Sequence, residues 1–568
     1  MNHWIVLPVV LPAMLAAGIV LGLRHHIVLQ RVFSLAGLVA LLALASGLFW
    51  TASDGTITLY QLGDWQAPFG IVLVADRLST LMVLLTAVMA IPVLLYAIGS
   101  GWDYRGRHFH ALFQFQIMGI MGAFLTGDAF NLFVFFEILL IASYGLMIHA
   151  GGTERLRSGV QYMLYNLLGS TLFLFALGTI YAETGTLNMA DLALRVSEAV
   201  PDQSAGLRVA AVLLLMVFAI KAAVLPLHFW LPSSYANAPA PVAALFAIMT
   251  KVGAYGIIRF YTLVFPPDLE ITQGLFDTWL MPAALLTLAL GMIGVLGAFN
   301  LNRLVAFAVI GSMGMLLASV AVFTPAGITA ALYYAIHSTL ATAALFLLVD
   351  VVQSRRGSHG SSLLQTAPPM AGGALVAGLF FAAAIAMTGL PPLSGFLGKL
   401  LVLDAATGSP LVWWVWAVVL GSSLVAVVGF SRAGSVIFWK SHASPLAGGA
   451  EAPEDTQGAA EPHAPPAPQP ALPMVAIGSL LALLVAVTVL AGPINRVLAA
   501  TTAQLFDPAP YVSVVLETPG KKITYKGDAG GKKAGTAPAD DTGAKSGAKS
   551  GAKSDTTSET ATKPGGTH

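Results

Sequence analysis

The stretch FAIKAAVLPLHFWLPSSYANAPAPVAALFAIMTKVGAYGIIRF, residues 218–260, is apolar enough for lipid yet holds Lys221 and Lys251 thirty residues apart. A lysine near the centre of a bilayer costs roughly 2.5–3.5 kcal/mol on insertion scales, so such residues face a protein interior or water rather than acyl chains. Pro226 and Pro232 interrupt the same stretch. Proline removes a backbone donor and clashes with the preceding turn, so a helix here is broken inside the bilayer. A second segment, TGLPPLSGFLGKL at residues 388–400, again sets prolines beside a lysine, Lys399. Paired interrupted helices in the two halves of a chain point to a transporter built from an inverted repeat, with an ion path near the midplane.

The rest of the chain fits that architecture. Of its 568 residues 57% are hydrophobic and 10% charged, too apolar a balance for a soluble fold. Apolar runs of about 20 residues, enough to cross a ~30 Å hydrocarbon core as helices, recur along the chain. They fall at 4–22, 29–50, 77–98, 109–127, 129–149, 158–182, 208–229, 238–262, 274–298, 303–323, 326–350, 371–404, 411–438 and 472–495. The expected fold is therefore an all-α polytopic membrane protein of about fourteen transmembrane helices, with two inverted five-helix repeats, each containing a Pro-broken helix. The first run, Ile5 to Leu23, lacks a basic flank and a cleavage site and reads as a retained helix, not a signal peptide.

Charge placement orients the chain. Arg24, Arg31, Arg105, Arg107, Arg155, Arg157, Arg303, Arg355, Arg356, Arg432 and Lys440 fall in the loops after odd-numbered helices or in the helix ends that flank them. The positive-inside rule makes those loops cytoplasmic and places both termini outside a bacterial inner membrane. The expected organisation is helices 1–3 in residues 1–108, a first repeat in 109–262 and a second in 263–440. A Pro/Ala-rich linker at 441–471, a last helix at 472–495 and a mostly disordered Lys-rich tail at 496–568 complete it.

Before residue 500 the chain has four lysines, and three of them, Lys221, Lys251 and Lys399, lie within expected membrane helices. Glu137, in NLFVFFEILLIASYG, is the acid read as lying well inside an apolar helix. Burial disfavours the charged form of either group, whereas proximity lets each favour the other's charge, so a Glu–Lys pair acts as a proton switch. The competing reading is a static ion pair between helices. His337, in LYYAIHSTLATAALF, and His228, near the broken turn, titrate near neutrality and are candidate relays. Asp76 and Arg77 open the third helix and are expected to pair near the interface, while Arg259 reads as an interfacial charge or partner. Asp350 and Asp404 read as hydrated helix ends.

With no cysteine, the chain holds no disulfide, thiolate-ligated cluster or cysteine nucleophile. It also lacks a Walker loop, an H-E-x-x-H zinc pattern and a dinucleotide fingerprint. No cofactor, metal or nucleic acid is expected, and any work must come from an ion gradient or a partner subunit.

The motifs GDAFNLFVFFEILLIASYGL, YNLLGSTLFLFALGTIY, KAAVLPLHFWLP, ANAPAPVAALFAIMTKVGAYGIIRF, NRLVAFAVIGSMG and TGLPPLSGFLGKL occur in that order. Together they resemble the antiporter-like family shared by respiratory complex I, membrane hydrogenases and multisubunit Mrp cation/proton antiporters. LGDWQAPFGIVLVADRLS and FQFQIMGIMGAFLTGDAFNLFVFFE are similar to the D subunit of the Mrp (Mnh, Sha or Pha) branch. The resemblance implies a component of a secondary Na+(K+)/H+ antiporter serving pH homeostasis, inactive without its A, B, C, E, F and G companions. It implies that Glu137 and Lys221 form a charge switch, continued by Lys251, His337 and Lys399. Complex I relatives usually carry a lysine one turn after the helix 11 histidine, where this chain has Ala341 and Thr342. The alternatives are a redox-driven proton-pumping subunit of complex I or a hydrogenase, and a non-transporting scaffold.

Overall fold

The computed structural model describes residues 3–199, 204–356, 362–440 and 471–521. Its helices are α1 (Leu7–Gly22), α2 (Ile27–Ala52), α3 (Arg77–Ser100), α4 (Phe109–Leu125), α5 (Ala129–Met147), α6 (Thr153–Thr184) and α7 (Met189–Ser197). There follow α8 (Ala205–Lys221), α9 (Trp230–Asn237), α10 (Ala240–Leu263), α11 (Met281–Gly297), α12 (Leu301–Ala321) and α13 (Pro325–Arg356). The last are α14 (Gly373–Thr388), α15 (Ser394–Ala405), α16 (Val412–Gly434), α17 (Ala471–Val489), α18 (Ala491–Leu505) and α19 (Ala509–Glu517). Among the described residues ten helical segments are long and apolar enough to cross a membrane, and α1, α4 and α14 are shorter apolar helices. The chain is a mostly helical, polytopic membrane protein.

α10, α12 and α13 form the interior; α10 is buried on all sides from Pro241 to Leu263. Between membrane helices close packing rather than water exclusion supplies the attraction, which favours small residues at the contacts. Gly253 illustrates this, since a Cβ there would meet the backbone nitrogen of Ala222 at 2.8 Å and the carbonyl of Phe218 at 2.9 Å. α8 therefore lies directly on α10 just beyond Lys221.

Both expected breaks are present. α8 stops at Lys221, and residues 222–229 leave the helix before α9. A helix break within lipid must recapture the backbone groups it releases. Here Leu225 N–H donates to Thr287 Oγ1 at 2.9 Å, and Trp230 Nε1 donates to Ile220 O at 3.0 Å. In the second half Gly389, at φ +77°, ends α14, and α15 begins at Ser394 after Pro391 and Pro392.

Several features depart from the expected all-α plan. Thr58–Gln61 and Val72–Ala75 pair as an antiparallel hairpin with Thr58 opposite Ala75. The run is too short and too evenly apolar for its period to separate strand from helix. The short helix α7 follows α6. The expected tail from 496 begins with ordered structure: α18 and α19 fold back, and Gln61 Nε2 donates to Thr518 O at 3.1 Å. The expected linker lies, apart from Ala471, outside the described residues, as does the tail beyond 521.

Candidate functional site

Glu137 sits mid-way along α5, whose first turn is capped by Asp128 accepting from Asn131 N–H at 2.7 Å. Glu137 is half-buried, and its Oε1 is buried without a hydrogen bond. Lys221, 5% exposed, ends α8 at the break. Its ammonium donates to Asn166 Oδ1 at 3.3 Å and Asn166 O at 3.5 Å, and lies 5.7 Å from the centre of the Phe136 ring. Glu137 acts on Lys221 electrostatically, but among the described residues it makes no ion pair. Asn166, on α6, escaped sequence reading; the signal was an amide inside the apolar run LYNLLGS.

Lys251 is 1% exposed on α10, and its Nζ has no hydrogen-bond partner among the described residues. His337 is fully buried on α13; its Nδ1 lies 2.9 Å from Ser394 Oγ, the first residue of α15. Lys399, 6% exposed on α15, donates to Thr388 O at 2.5 Å and Ser423 Oγ at 2.7 Å. Thr388 ends α14, so the ammonium meets the negative end of that helix. Lys251 and Lys399 both act electrostatically on His337. Glu137 thus lies within electrostatic range of Lys221, and Lys251 and Lys399 within electrostatic range of His337. Gly253, two residues beyond Lys251, packs against the Lys221 backbone.

Two other sequence readings come out differently, and Arg259 takes the partner role read for it. Asp76 does not pair with Arg77: it caps α3 and forms a two-point pair with Arg259, at 2.6 and 2.8 Å. Adjacent side chains at a helix start diverge, and Arg77 donates to Ala52 O, Ser53 O and Ala500 O instead. Arg259 is accordingly a buried partner of Asp76, at 4% exposure. Asp350 is not a hydrated end but a half-buried residue within α13, accepting from Tyr96 OH at 2.7 Å and Trp102 Nε1 at 2.9 Å. His228 stands at the break, its ring 4.4 Å from that of Phe229, and hydrogen-bonds to none of the five central residues. Asp404 is exposed near the end of α15.

Among the described residues no three His, Asp or Glu side chains form a metal-binding group. Residues 126–425 match the family described as NADH:quinone oxidoreductase/Mrp antiporter, TM. The chain belongs to this family. It is 40% identical over 446 residues to the D subunit of the Na+/H+ antiporter of Bacillus subtilis, covering 77% of this chain and 87% of that one. It is 38% identical over 473 residues to the D subunit of a probable K+/H+ antiporter of Rhizobium meliloti, covering 78% and 88%. Its fold matches a chain in the structure of the Mrp complex from Dietzia sp. with a TM-score of 0.80 at 28% identity, covering 91% of this chain and all of that one. Within the NADH:quinone oxidoreductase/Mrp antiporter family the chain therefore resembles the antiporter D subunits, which are transporter components rather than enzymes.

Proposed function

We propose that this chain is the D subunit of a secondary Na+(K+)/H+ antiporter in a bacterial cytoplasmic membrane, working with A, B, C, E, F and G companions. It crosses the membrane fourteen times with both termini outside, and residues 109–262 and 263–440 are inverted repeats around the two breaks. Helices 1–3 occupy residues 1–108, and the linker at 441–471 leads to the last membrane helix at 472–495 and the tail at 496–568. Protons pass along Glu137, Lys221, Lys251, His337 and Lys399.

One observation carries this reading. Four buried ionisable side chains, on α8, α10, α13 and α15, lie with half-buried Glu137 on α5 in the half-chains that hold the two helix breaks, and the lysines among them lack carboxylate partners among the described residues. Lys221 hangs on a neutral amide with Glu137 within electrostatic range. At an effective dielectric of about 20, bringing opposite charges from ~8 to ~4 Å changes their interaction by about 2 kcal/mol, roughly thirtyfold in a proton equilibrium. A small swing of Lys221 between Asn166 and Glu137 thus changes which group holds a proton. Lys251, with no fixed partner among the described residues, receives the charge, and His337 links it to Lys399 across the second break. The exchanged cation is cargo of the complex.

The test is co-expression with the companion subunits in antiporter-deficient cells, followed by addition of Na+ or K+ to everted vesicles holding a pH gradient. Collapse of the gradient by one of the cations supports the reading. A fully assembled complex that answers neither cation refutes it.

A further inference from the structure

α10 carries Lys251, Tyr255 and Arg259 at four-residue spacing, so they stack on one face. Side chains on a helix lean toward its N-terminus, which brings each polar group back over the preceding turn. Arg259 Nε accordingly lies 3.4 Å from Tyr255 OH, and Tyr255 OH donates to Phe124 O at 2.7 Å. The ladder leads from Lys251 toward the end of α10 opposite the arginine-rich loops. There Asp76 grips Arg259 at two points, and the guanidinium lies 5.3 Å from the centre of the Tyr511 ring.

Tyr511 belongs to α19, a nine-residue helix that buries only Tyr511 and Val515, one turn apart. Its hydroxyl lies against the turn between α4 and α5, where a Cβ on Gly127 would stand 3.1 Å from it. α19 is thus a short amphipathic strap laid over the end of a buried polar column, with Tyr511 on the Arg259 cation, Val515 buried beside it, and Gln66 and Gln61 donating to Leu516 O and Thr518 O.

We propose that this column is an access route between Lys251 and the outer aqueous face, closed in this structure by the Asp76–Arg259 pair with Tyr511 as its seal. A guanidinium fixed in a narrow polar path repels protons and cations. Held by Asp76 and covered by an aromatic face, it closes the route; when α19 lifts, water reaches the pair and, through Tyr255, Lys251. Asp76, Arg259 and Tyr511 are gating residues and not proton carriers. The inference rests on the reading of Lys251 as a carrier.

The test uses the assembled complex in vesicles with an imposed pH gradient and no added Na+ or K+, so its result is separate from whether cation exchange is observed. Tyr511→Ala should let the gradient decay several-fold faster than wild type. Tyr511→Phe, which keeps the ring over Arg259, should stay as tight as wild type. Adding Lys251→Ala to Tyr511→Ala should restore tightness, because the leak runs through Lys251; a leak caused by general loosening of the fold would persist. An unchanged decay in Tyr511→Ala, or a leak that Lys251→Ala does not stop, overturns the proposal. Should Tyr511→Ala assemble poorly, Val515→Cys in right-side-out vesicles replaces it, since Val515 is the other buried residue of α19, Tyr511 is kept and the chain has no cysteine of its own. A membrane-impermeant maleimide should label this position faster during cation-driven transport than at rest, and equal rates in the two conditions also overturn the proposal.

Discussion

Lys399 donates to the carbonyl of Thr388 at 2.5 Å, so its ammonium spans the gap between α14 and α15. The bond gives the second broken helix a charge-dependent clasp: the ammonium satisfies a carbonyl left without its helical donor, and a neutral amine satisfies it less well. Lys399→Arg preserves the charge and the donors, yet arginine cannot release a proton in a protein. The expected outcome is a complex that assembles to wild-type abundance and shows no cation-driven proton flux. Flux near the wild-type rate would remove Lys399 from the proton path.

Asn166 tests the other end of the row. Asn166→Leu removes the Oδ1 acceptor of Lys221, leaving it the longer 3.5 Å contact to the backbone carbonyl at 166 and the charge of Glu137. A hydrogen bond to a charged group contributes about 1.5–3 kcal/mol. The lysine should then stay with Glu137, and cation-driven flux should fall by about tenfold or more. Flux measured at matched complex abundance decides this.

Asp103 links stability to pH outside the membrane helices. Burial alone pushes its carboxyl up, but hydrogen bonds from His110 and Arg31, with the charge of Arg31, outweigh that and hold it below the usual carboxylate range. A carboxyl lowered on folding stabilises above its unfolded pKa, and that contribution is lost as pH falls through the folded value. Asp103→Asn should therefore lower the melting temperature of the purified complex at neutral pH, by an amount reflecting about 1–2 kcal/mol because Arg31 is partly exposed. The difference from wild type should shrink as pH drops below about 4. A difference that stays constant as pH falls well below about 4 would contradict this role of Asp103.

What sequence disclosed and what it hid follow one rule. Pro226, Pro391 and Pro392 act on their own backbone, so both breaks were readable locally. The lysines stood out because their cost depends only on an apolar surrounding. Asp76 and Arg259, 183 residues apart, are joined by tertiary structure alone, and proximity in sequence favoured Arg77 as the partner. Asp350 looked like a helix end because the apolar run stops there, whereas α13 continues to Arg356 and packs Asp350 beneath Tyr96 and Trp102. α19 was hidden by its length: APYVSVVLE is apolar but, at nine residues, too short to read as a membrane helix.

Gly395 tests how tightly the second break is packed around His337. A Cβ at this position would run into the Ala386 carbonyl and approach His337 Cε1 to 3.0 Å. Backbone cannot yield as a flexible side chain does, and overpacking of this kind costs typically about 1–3 kcal/mol. Gly395→Ala should reduce complex abundance or, where the complex assembles, slow transport by displacing His337 from Ser394. Wild-type abundance together with wild-type flux would show that α14 and α15 have room to separate.

The most direct test of the buried proton path is Glu137→Gln, which keeps the shape of the side chain and removes its charge. Wild-type and variant complexes at equal abundance are compared in everted vesicles, following the pH gradient after addition of the cation that wild type uses. A path through Glu137 predicts rapid collapse in wild type and none in Glu137→Gln. Collapse at the wild-type rate in the variant would contradict it, leaving Glu137 with a structural role and the path elsewhere.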